Sequence, residues 1–503
     1  MTRPDIAQGR RRSQGSPQLA LAWVAVAGSA LTLAFPEPDL APLAWVCIAP
    51  LLHALRGAGA RRGLLLGTVF GLFYFGTLLH WVSVVGYLAW FLLVLLQAAY
   101  VGVFGALWGA ASRSFGPVAR IVVPGLLWVA VVEYARALAP VVGFTWGQLA
   151  QSQHNVPVVL ETAAWAGSWA VAFVVVTVNA LLAAAGAHGA SRDVRGAALR
   201  LLAAGAILLV ALPIPSPARE GAPVDVAIVQ GNIPETQPAS YEKDLVILDN
   251  HVRLTREVGE SADLVLWAES SVGIDPARNP EVGDALTAAA GELERPLVVG
   301  GNLARDDDRY QVMAYLVEPG EGIVDAYQKT HLVPFGEYVP ARGLLDWIPA
   351  LGQVPLDAVA GDEPGLFEVA GGGVAPVISF EADFGSLVKG RMTGAGRLLV
   401  VLTNTSTWRH TWASAQHVAM SQVRAAETGA YVAHAALTGV SAFVDPSGRV
   451  IERSALWRPA LLEERVRFSD GVTFYARTGD WLAWLSLSSI VVCVLTVRVR
   501  RER

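Results

Sequence analysis

The chain has 503 residues, 53 % of them hydrophobic and only 16 % charged, with a formal net charge of −5 and two cysteines. A mean hydropathy of +0.43 over that length excludes a disordered chain and argues against a purely soluble enzyme, because soluble domains are about 25 % charged. Two cysteines, Cys47 and Cys493, exclude a disulfide framework, a cysteine-rich zinc site and an iron–sulfur cluster. Apolar runs near the length of a bilayer span, about 20 residues, lie at 18–35, 41–55, 63–86, 88–111, 117–138, 157–186 and 198–214, with an eighth at 479–497. The second is short, and the sixth is long enough to tilt or to contain a turn. Arginines then mark alternate connections: Arg10–Arg12, Arg56 with Arg61 and Arg62, Arg113 with Arg120, Arg192 with Arg195 and Arg200, and Arg498 to Arg503. Short cytoplasmic loops are enriched in Lys and Arg, so this alternation predicts that both termini are cytoplasmic. Within the spans, Glu133 and Arg136 stand three apart on one helix face, so that they could pair with each other or shape a pocket for a lipid headgroup.

Charge divides the chain again. Residues 221–470 hold 34 of the 43 acidic side chains but 19 of the 38 basic ones, a net of −15, which leaves +10 for the remainder. The acidic block therefore belongs on the extracytoplasmic side. Three parts are expected: a membrane domain over 1–220, an exported domain over 221–475, and a last transmembrane helix with a basic tail over 476–503.

Inside the exported block the periodicity changes. Short apolar runs bounded by Gly, Asn and Asp occupy 224–232, 262–270, 295–302, 311–318, 374–383, 397–404, 430–437 and 439–448, the pattern of strands buried on both faces in an α/β layer fold. Residues 412–429 have helical spacing and end at Gly429, a C-cap signal. No phosphate-cradling glycine loop follows a strand, and no metal, cofactor or nucleic-acid partner is expected. In such folds chemistry collects at strand ends. Three ends hold candidates: Glu269 after LVLWA, Lys329 in DAYQKTHLVPFGEYVP, and Ser379 with Glu381 around Phe380. Lysine is rare here, three residues against 35 arginines, which suggests a need for a compact ammonium at Lys329. No G-x-S-x-G elbow surrounds Ser379, and no His–Asp partner for it is evident.

Taken together, GFTWGQLAQSQ (143–153), VQGNIP (229–234), LWAES (266–270), YQKTHLVPFGEYVP (327–340) and VRAAETG (423–429) resemble the carbon–nitrogen hydrolase (nitrilase) superfamily and, more narrowly, the apolipoprotein N-acyltransferase family. That resemblance implies a polytopic membrane protein carrying an αββα nitrilase-like sandwich. It also implies an acyl transfer from a phospholipid to the diacylglyceryl-modified N-terminal cysteine of a lipoprotein. The family's general base maps to Glu269, its oxyanion-stabilising lysine to Lys329 and its supporting carboxylate to Glu337, while Phe380 and Glu381 complete the nucleophile motif. The departure is at the nucleophile, where the family's C-[YF]-E reads Ser379-Phe380-Glu381. A catalytically silent homologue, binding lipid or a partner such as a membrane glycosyltransferase, is the alternative that the lost thiol raises. Trp347, Ile348 and Leu351, just past the lysine loop, are candidates for a membrane-dipping lid.

Overall fold

The computed structural model describes residues 17–138, 143–189, 196, 198, 205, 220–234, 240–345, 347–348, 351–352 and 354–502. Among these, three helices are long and apolar enough to cross a membrane: Tyr87–Ser114, Ser168–Gly186 and Trp481–Val499. The other expected spans are shorter or interrupted. Pro17–Thr32 is one helix of 16 residues. The 41–55 run is a 3₁₀ turn, Ala41–Trp45, followed by the helix Ala49–Ala54. Helix Ala60–Leu78 passes into a 3₁₀ turn at His80–Val84. The 157–186 run breaks at Gly167, whose φ of +72° ends the short helix Ala163–Ala166 and sets off Ser168–Gly189. The 198–214 run falls almost wholly outside the described residues.

Helices Ala60–Leu78 and Tyr87–Ala111 approach closely because glycines line their seam. A Cβ on Gly63 would stand 2.1 Å from the Gly105 carbonyl oxygen, and one on Gly67 2.2 Å from that of Val101. Small residues at such spacing let membrane helices pack backbone to backbone. The 117–138 span is a single helical run made of Ala119–Trp128, a π turn at Val129–Tyr134 and a last turn at Ala135–Ala137.

Between Glu220 and Ser469 the chain forms two six-stranded sheets, ordered β12-β1-β2-β3-β4-β5 and β11-β10-β9-β8-β7-β6. The first comprises β1 (Glu220–Gln230), β2 (Leu264–Val272), β3 (Leu297–Ala304), β4 (Tyr310–Glu318), β5 (Gly322–Gln328) and β12 (Ala460–Ser469). The second comprises β6 (Phe367–Val369), β7 (Gly372–Ile378), β8 (Leu398–Thr403), β9 (Val432–Ala436), β10 (Ala442–Val444) and β11 (Val450–Arg453). At the centres, β1, β2 and β3 run parallel, as do β7, β8 and β9.

Side chains alternate across each strand, and here both faces are covered. Leu264, Leu266 and Ala268 of β2 meet Leu398, Val400 and Leu402 of β8 in the core between the sheets. Val265 and Trp267 face the other way, against Leu248, Leu254 and Leu286 of the helices Tyr241–Thr255 and Pro280–Leu293. Leu399 and Val401 pack on Val388, Met392 and Ala425 of Gly385–Thr393 and Ala413–Thr428. The result is helix, sheet, sheet, helix.

The two halves meet over the segment 143–153. Glu133 and Arg136 each hydrogen-bond one backbone group of this segment. Glu133 Oε1 accepts from Trp128 Nε1 (3.1 Å) and from the Leu149 N–H (3.2 Å), while Arg136 donates to the carbonyls of Val132 (2.8 Å) and Trp146 (2.5 Å). A buried loop must satisfy its backbone groups, and these two charged side chains do so. Trp146 in turn donates to Gln416 Oε1 at 2.6 Å, on the helix Ala413–Thr428.

Candidate active site

The parallel strands deliver their C-terminal ends to one place. Glu269 lies inside β2 rather than after it, at an irregularity: the β2–β3 register shifts between Trp267 and Val272, and Ser270 takes a φ of +62°. Such a bulge re-aims a side chain, and here it turns a carboxylate inward at a strand otherwise buried on both faces. Lys329 follows β5, held by its N–H to the Val312 carbonyl (2.9 Å) and by its own carbonyl to the Gly361 N–H (2.8 Å). Its ammonium is fully buried, 3.2 Å from Glu269 Oε1 and 2.5 Å from Glu337 Oε1. Glu337 Oε2 accepts from the Val333 N–H at 2.7 Å, which fixes the second carboxylate on its own loop.

Charge in this cluster is set by burial against pairing. Burial alone disfavours the Lys329 ammonium, but Glu269 and Glu337 outweigh it and hold its pKa above the ordinary lysine range. Burial pushes the Glu269 carboxyl up, aided by the like charge of Glu337 and opposed by Lys329. A carboxyl raised in this way holds its proton more firmly than a free one, as a group that gives and takes a proton requires.

Ser379 directly follows β7 and has a φ of +49°, the left-handed region that a residue with a Cβ seldom enters. It opens the 3₁₀ turn Ser379–Asp383. Glu381 anchors that turn. One of its oxygens accepts from the Ile378 N–H (2.8 Å); the other accepts from Tyr327 OH (2.6 Å), the Thr330 N–H and hydroxyl (2.8 Å each) and the His331 N–H (3.1 Å). Burial works against this charge, yet Arg391 and these hydrogen bonds keep its pKa below the ordinary carboxylate range. Glu381 therefore ties the lysine loop to the serine turn as an ionised strut. Phe380 stacks near His331 (5.8 Å) and packs on Phe384 (5.0 Å) and Phe144 (6.5 Å), carrying the turn onto segment 143–153.

The end of β8 bridges the two halves of the site. Thr403 Oγ1 lies 3.2 Å from Ser379 Oγ, and the N–H of the next residue, Asn404, donates to Glu269 Oε2 at 2.8 Å. Ser379 and Glu269 thus flank two consecutive residues. A histidine stands one residue removed from the Ser379 hydroxyl, behind Thr403. His417 Nδ1 is 3.2 Å from Thr403 Oγ1, and its Nε2 is 3.3 Å from the Ser379 carbonyl oxygen and 3.6 Å from Asp383 Oδ1. Thr403, His417 and Asp383 come from three elements 14 to 34 positions apart, and nothing in their local sequence links them beyond a threonine at a strand end and a histidine on a buried helix.

A cavity of about 730 Å³ opens between Ala60–Leu78, Tyr87–Ala111 and residues 410–412, lined by Leu72, Phe73, Trp81, Trp90, Phe91 and Trp412 among others. Trp81 connects it to the site. Its ring meets Trp408 (4.5 Å) and Trp146 (4.7 Å), and Trp146 stacks on His417 (5.9 Å). Beyond the lysine loop, Leu344 and Trp347 are exposed, while Ile348 and Leu351 are half-buried. Cys47 falls in the turn before Ala49–Ala54 and Cys493 in Trp481–Glu502; both pack in the apolar core built on the helices between residues 17 and 189. No group of three or more His, Cys, Asp or Glu able to hold a metal occurs among the described residues.

Residues 27–181 match the family model described as apolipoprotein N-acyltransferase N-terminal domain, and residues 225–470 match that of carbon–nitrogen hydrolase. Similar curated proteins bear the name apolipoprotein N-acyltransferase. That of Geobacter metallireducens is 30 % identical over 95 % of this chain and 95 % of its own. That of Gloeobacter violaceus is 28 % identical over 98 % and 97 %, and that of Mycolicibacterium smegmatis 29 % over 93 % and 84 %. Among solved structures, an amidase from Nesterenkonia sp. is 17 % identical over 52 % of this chain and 95 % of the amidase, with a TM-score of 0.37.

Proposed function

Because the chain belongs to the apolipoprotein N-acyltransferase family, within the carbon–nitrogen hydrolase superfamily, we propose that Ser379 takes the nucleophile's place and carries the acyl group between two substrates. The protein is an acyltransferase of lipoprotein biosynthesis. It moves a fatty acyl chain from a membrane phospholipid to the N-terminal diacylglyceryl-cysteine of a lipoprotein. Ser379 Oγ attacks the phospholipid ester and forms an acyl-serine; the α-amine of the acceptor then attacks that ester and leaves with the chain as an amide. Lys329 meets the negative charge that develops on the carbonyl oxygen in both steps. Glu269 is the general acid–base group, giving a proton to the departing lysophospholipid and taking one from the incoming amine. Glu337 holds Lys329, and Glu381 with Phe380 holds the serine turn.

The observation that carries this reading is the buried Lys329 ammonium, bracketed by Glu269 and Glu337 and tied through Glu381 to the turn that presents Ser379. The tryptophan-lined cavity between the membrane helices suits the acyl chain of the donor. We assign residues 1–220 to the membrane domain, 221–475 to the exported domain and 476–503 to the last helix and tail. About eight spans place both termini in the cytoplasm and the sandwich on the extracytoplasmic side of a bacterial plasma membrane.

The test is mass spectrometry of lipoprotein N-termini in a host lacking the activity and supplied with this chain. Triacylated termini that vanish with Ser379→Ala are expected. Termini that stay diacylated with the unaltered chain but become triacylated with Ser379→Cys would overturn the serine reading and leave a disabled site. Failure of both chains would favour the scaffold alternative, in which a membrane glycosyltransferase co-purifies.

A further inference from the structure

We propose that Thr403 and His417 form a proton relay dedicated to Ser379, so that the nucleophile's own proton leaves by a route separate from Glu269. This deepens the serine reading and rests on it. The need is chemical. A thiol near pKa 8.5 ionises readily beside a base, whereas a serine hydroxyl must lose its proton as it attacks. Glu269 makes no hydrogen bond to Ser379: one oxygen faces Lys329 at 3.2 Å and the other accepts the Asn404 N–H at 2.8 Å. The hydrogen bond of Ser379 Oγ goes to Thr403 Oγ1 (3.2 Å), and Thr403 Oγ1 is also 3.2 Å from His417 Nδ1.

The direction of the chain follows from the far side of the imidazole. His417 Nε2 faces the Ser379 carbonyl oxygen at 3.3 Å, which can only accept, so Nε2 carries the ring proton. Nδ1 is then a bare lone pair and accepts from Thr403. Thr403, having donated, accepts from Ser379. Burial pushes the His417 pKa down to about 4, so the ring is neutral and free to accept at rest. Asp383, a buried carboxyl group whose oxygens make no hydrogen bond, stands 3.6 Å from Nε2, and Trp146 stacks on the ring to hold its orientation. His434 lies beside the ring at 5.1 Å with its Nδ1 engaged by Ser421 Oγ at 2.8 Å.

The protons balance over one cycle. As Ser379 Oγ bonds to the ester carbon, its proton passes to Thr403 Oγ1 while the Thr403 proton passes to His417 Nδ1. The tetrahedral intermediate expels the lysophospholipid oxygen, which takes the proton of the Glu269 carboxyl. The amine then attacks the acyl-serine and returns a proton to Glu269. When the serine–carbon bond breaks, the His417 proton runs back through Thr403 to Ser379 Oγ. Thr403 is catalytic by contact with the reacting oxygen, and His417 acts through it.

The experiment uses the full chain in detergent with 1-palmitoyl-2-oleoyl phosphatidylethanolamine, following acyl-enzyme by intact mass and steady-state turnover with a synthetic diacylglyceryl lipopeptide. Thr403→Val, which keeps shape but removes the hydroxyl, is expected to slow acylation about 10²-fold or more, the range of a lost acid–base group, with KM for the phospholipid unchanged. Thr403→Ser should restore the rate to within a few-fold. In a Ser379→Cys background the same Thr403→Val change should cost less than about threefold, because the thiol ionises without the relay. Acylation by Thr403→Val at the unaltered rate overturns the relay alone, as does an equal loss in the serine and cysteine backgrounds, which would mark Thr403 as structural. Absence of any acyl-enzyme from the unaltered chain overturns the serine reading and the relay with it.

Discussion

Removing the Lys329 ammonium separates its structural part from its chemical one. Its side chain is fully buried, and its carboxylate neighbours are nearly so, with 8 % of the Glu269 side chain and 14 % of that of Glu337 exposed. Lys329→Met keeps the stem and deletes the charge, leaving the Glu337 carboxylate and the Glu269 carboxyl facing a gap that one cation had bridged. Deleting one partner of a buried pair costs about 3–5 kcal/mol, because the remaining charge is uncompensated. For a domain of this size about 1 kcal/mol moves Tm by about 2–4 °C, so a fall of about 10 °C is expected in detergent. Turnover should fall about 10²- to 10³-fold, the usual consequence of removing one oxyanion stabiliser. Lys329→Met with Glu337→Gln removes the excess negative charge and should recover most of the lost Tm but none of the turnover. Differential scanning fluorimetry and the lipopeptide assay read the two quantities separately. A single variant melting within 2 °C of the parent, or a double variant that melts no higher than the single one, would refute the claim that the cluster is held by its charges.

Two further expectations follow from packing and protonation. A Cβ on Gly300 of β3 would stand 2.4 Å from the Ala268 carbonyl oxygen and 2.6 Å from the Glu269 Cα, both backbone atoms. Gly300→Ala should therefore displace β2 at the bulge, at a cost of about 1–3 kcal/mol and a loss of about 10-fold or more in turnover; Gly291→Ala, where a Cβ meets nothing within 4 Å, is the control and should be neutral or slightly stabilising. His251 is fully buried, with Nδ1 donating to the Ile247 carbonyl and Nε2 accepting from the Gly231 N–H. Burial lowers its pKa from 6.5 to about 4. Between those values the unfolded chain binds a proton that the folded chain refuses, so stability falls as pH drops from about 6.5 to about 4, by up to about 3 kcal/mol for this residue. Chemical denaturation from pH 7 to pH 4.5 should show a shallower slope in His251→Gln; an unchanged slope would place the acid sensitivity elsewhere.

What was legible in the chain depended on where each element lies. The central strands read clearly because both faces are buried: LVLWA and LLVVL are apolar without a break. Edge strands did not. β12 interleaves buried Leu462, Val466 and Phe468 with Glu463, Arg465 and Arg467, and β11 is largely exposed. Both look like solvated loop when pairing partners are unknown. Hydropathy marked the apolar runs but not where they break, since Gly167 and the 41–48 turns sit within runs as apolar as the helices around them. At the site, Glu269, Lys329, Glu337, Ser379, Phe380 and Glu381 were marked by motif. Thr403, His417 and Asp383 were not, because their association exists only once β7, β8 and the helix Ala413–Thr428 have packed.

The exchange of sulfur for oxygen bears differently on the two half-reactions. A serine oxygen is more basic than a cysteine sulfur, so it is harder to ionise before attack and harder to expel afterwards. The second difficulty is the more demanding one, since transfer to the amine requires the Ser379 oxygen to depart as the amide forms. A base that only removes the first proton would leave that departure uncatalysed. A neutral histidine reached through a hydroxyl can take a proton as attack begins and return one to the oxygen as the bond breaks. Glu269 takes the amine's proton at that step but makes no hydrogen bond to Ser379 along which to pass one on, its oxygens meeting Lys329 and the Asn404 N–H instead. With Cys at 379 the thiolate leaves unaided and the return proton is superfluous. The second half-reaction is therefore where the Thr403 hydroxyl separates an oxygen nucleophile from a sulfur one most sharply, and single-turnover aminolysis of preformed acyl-enzyme is the measurement in which the two backgrounds should diverge furthest.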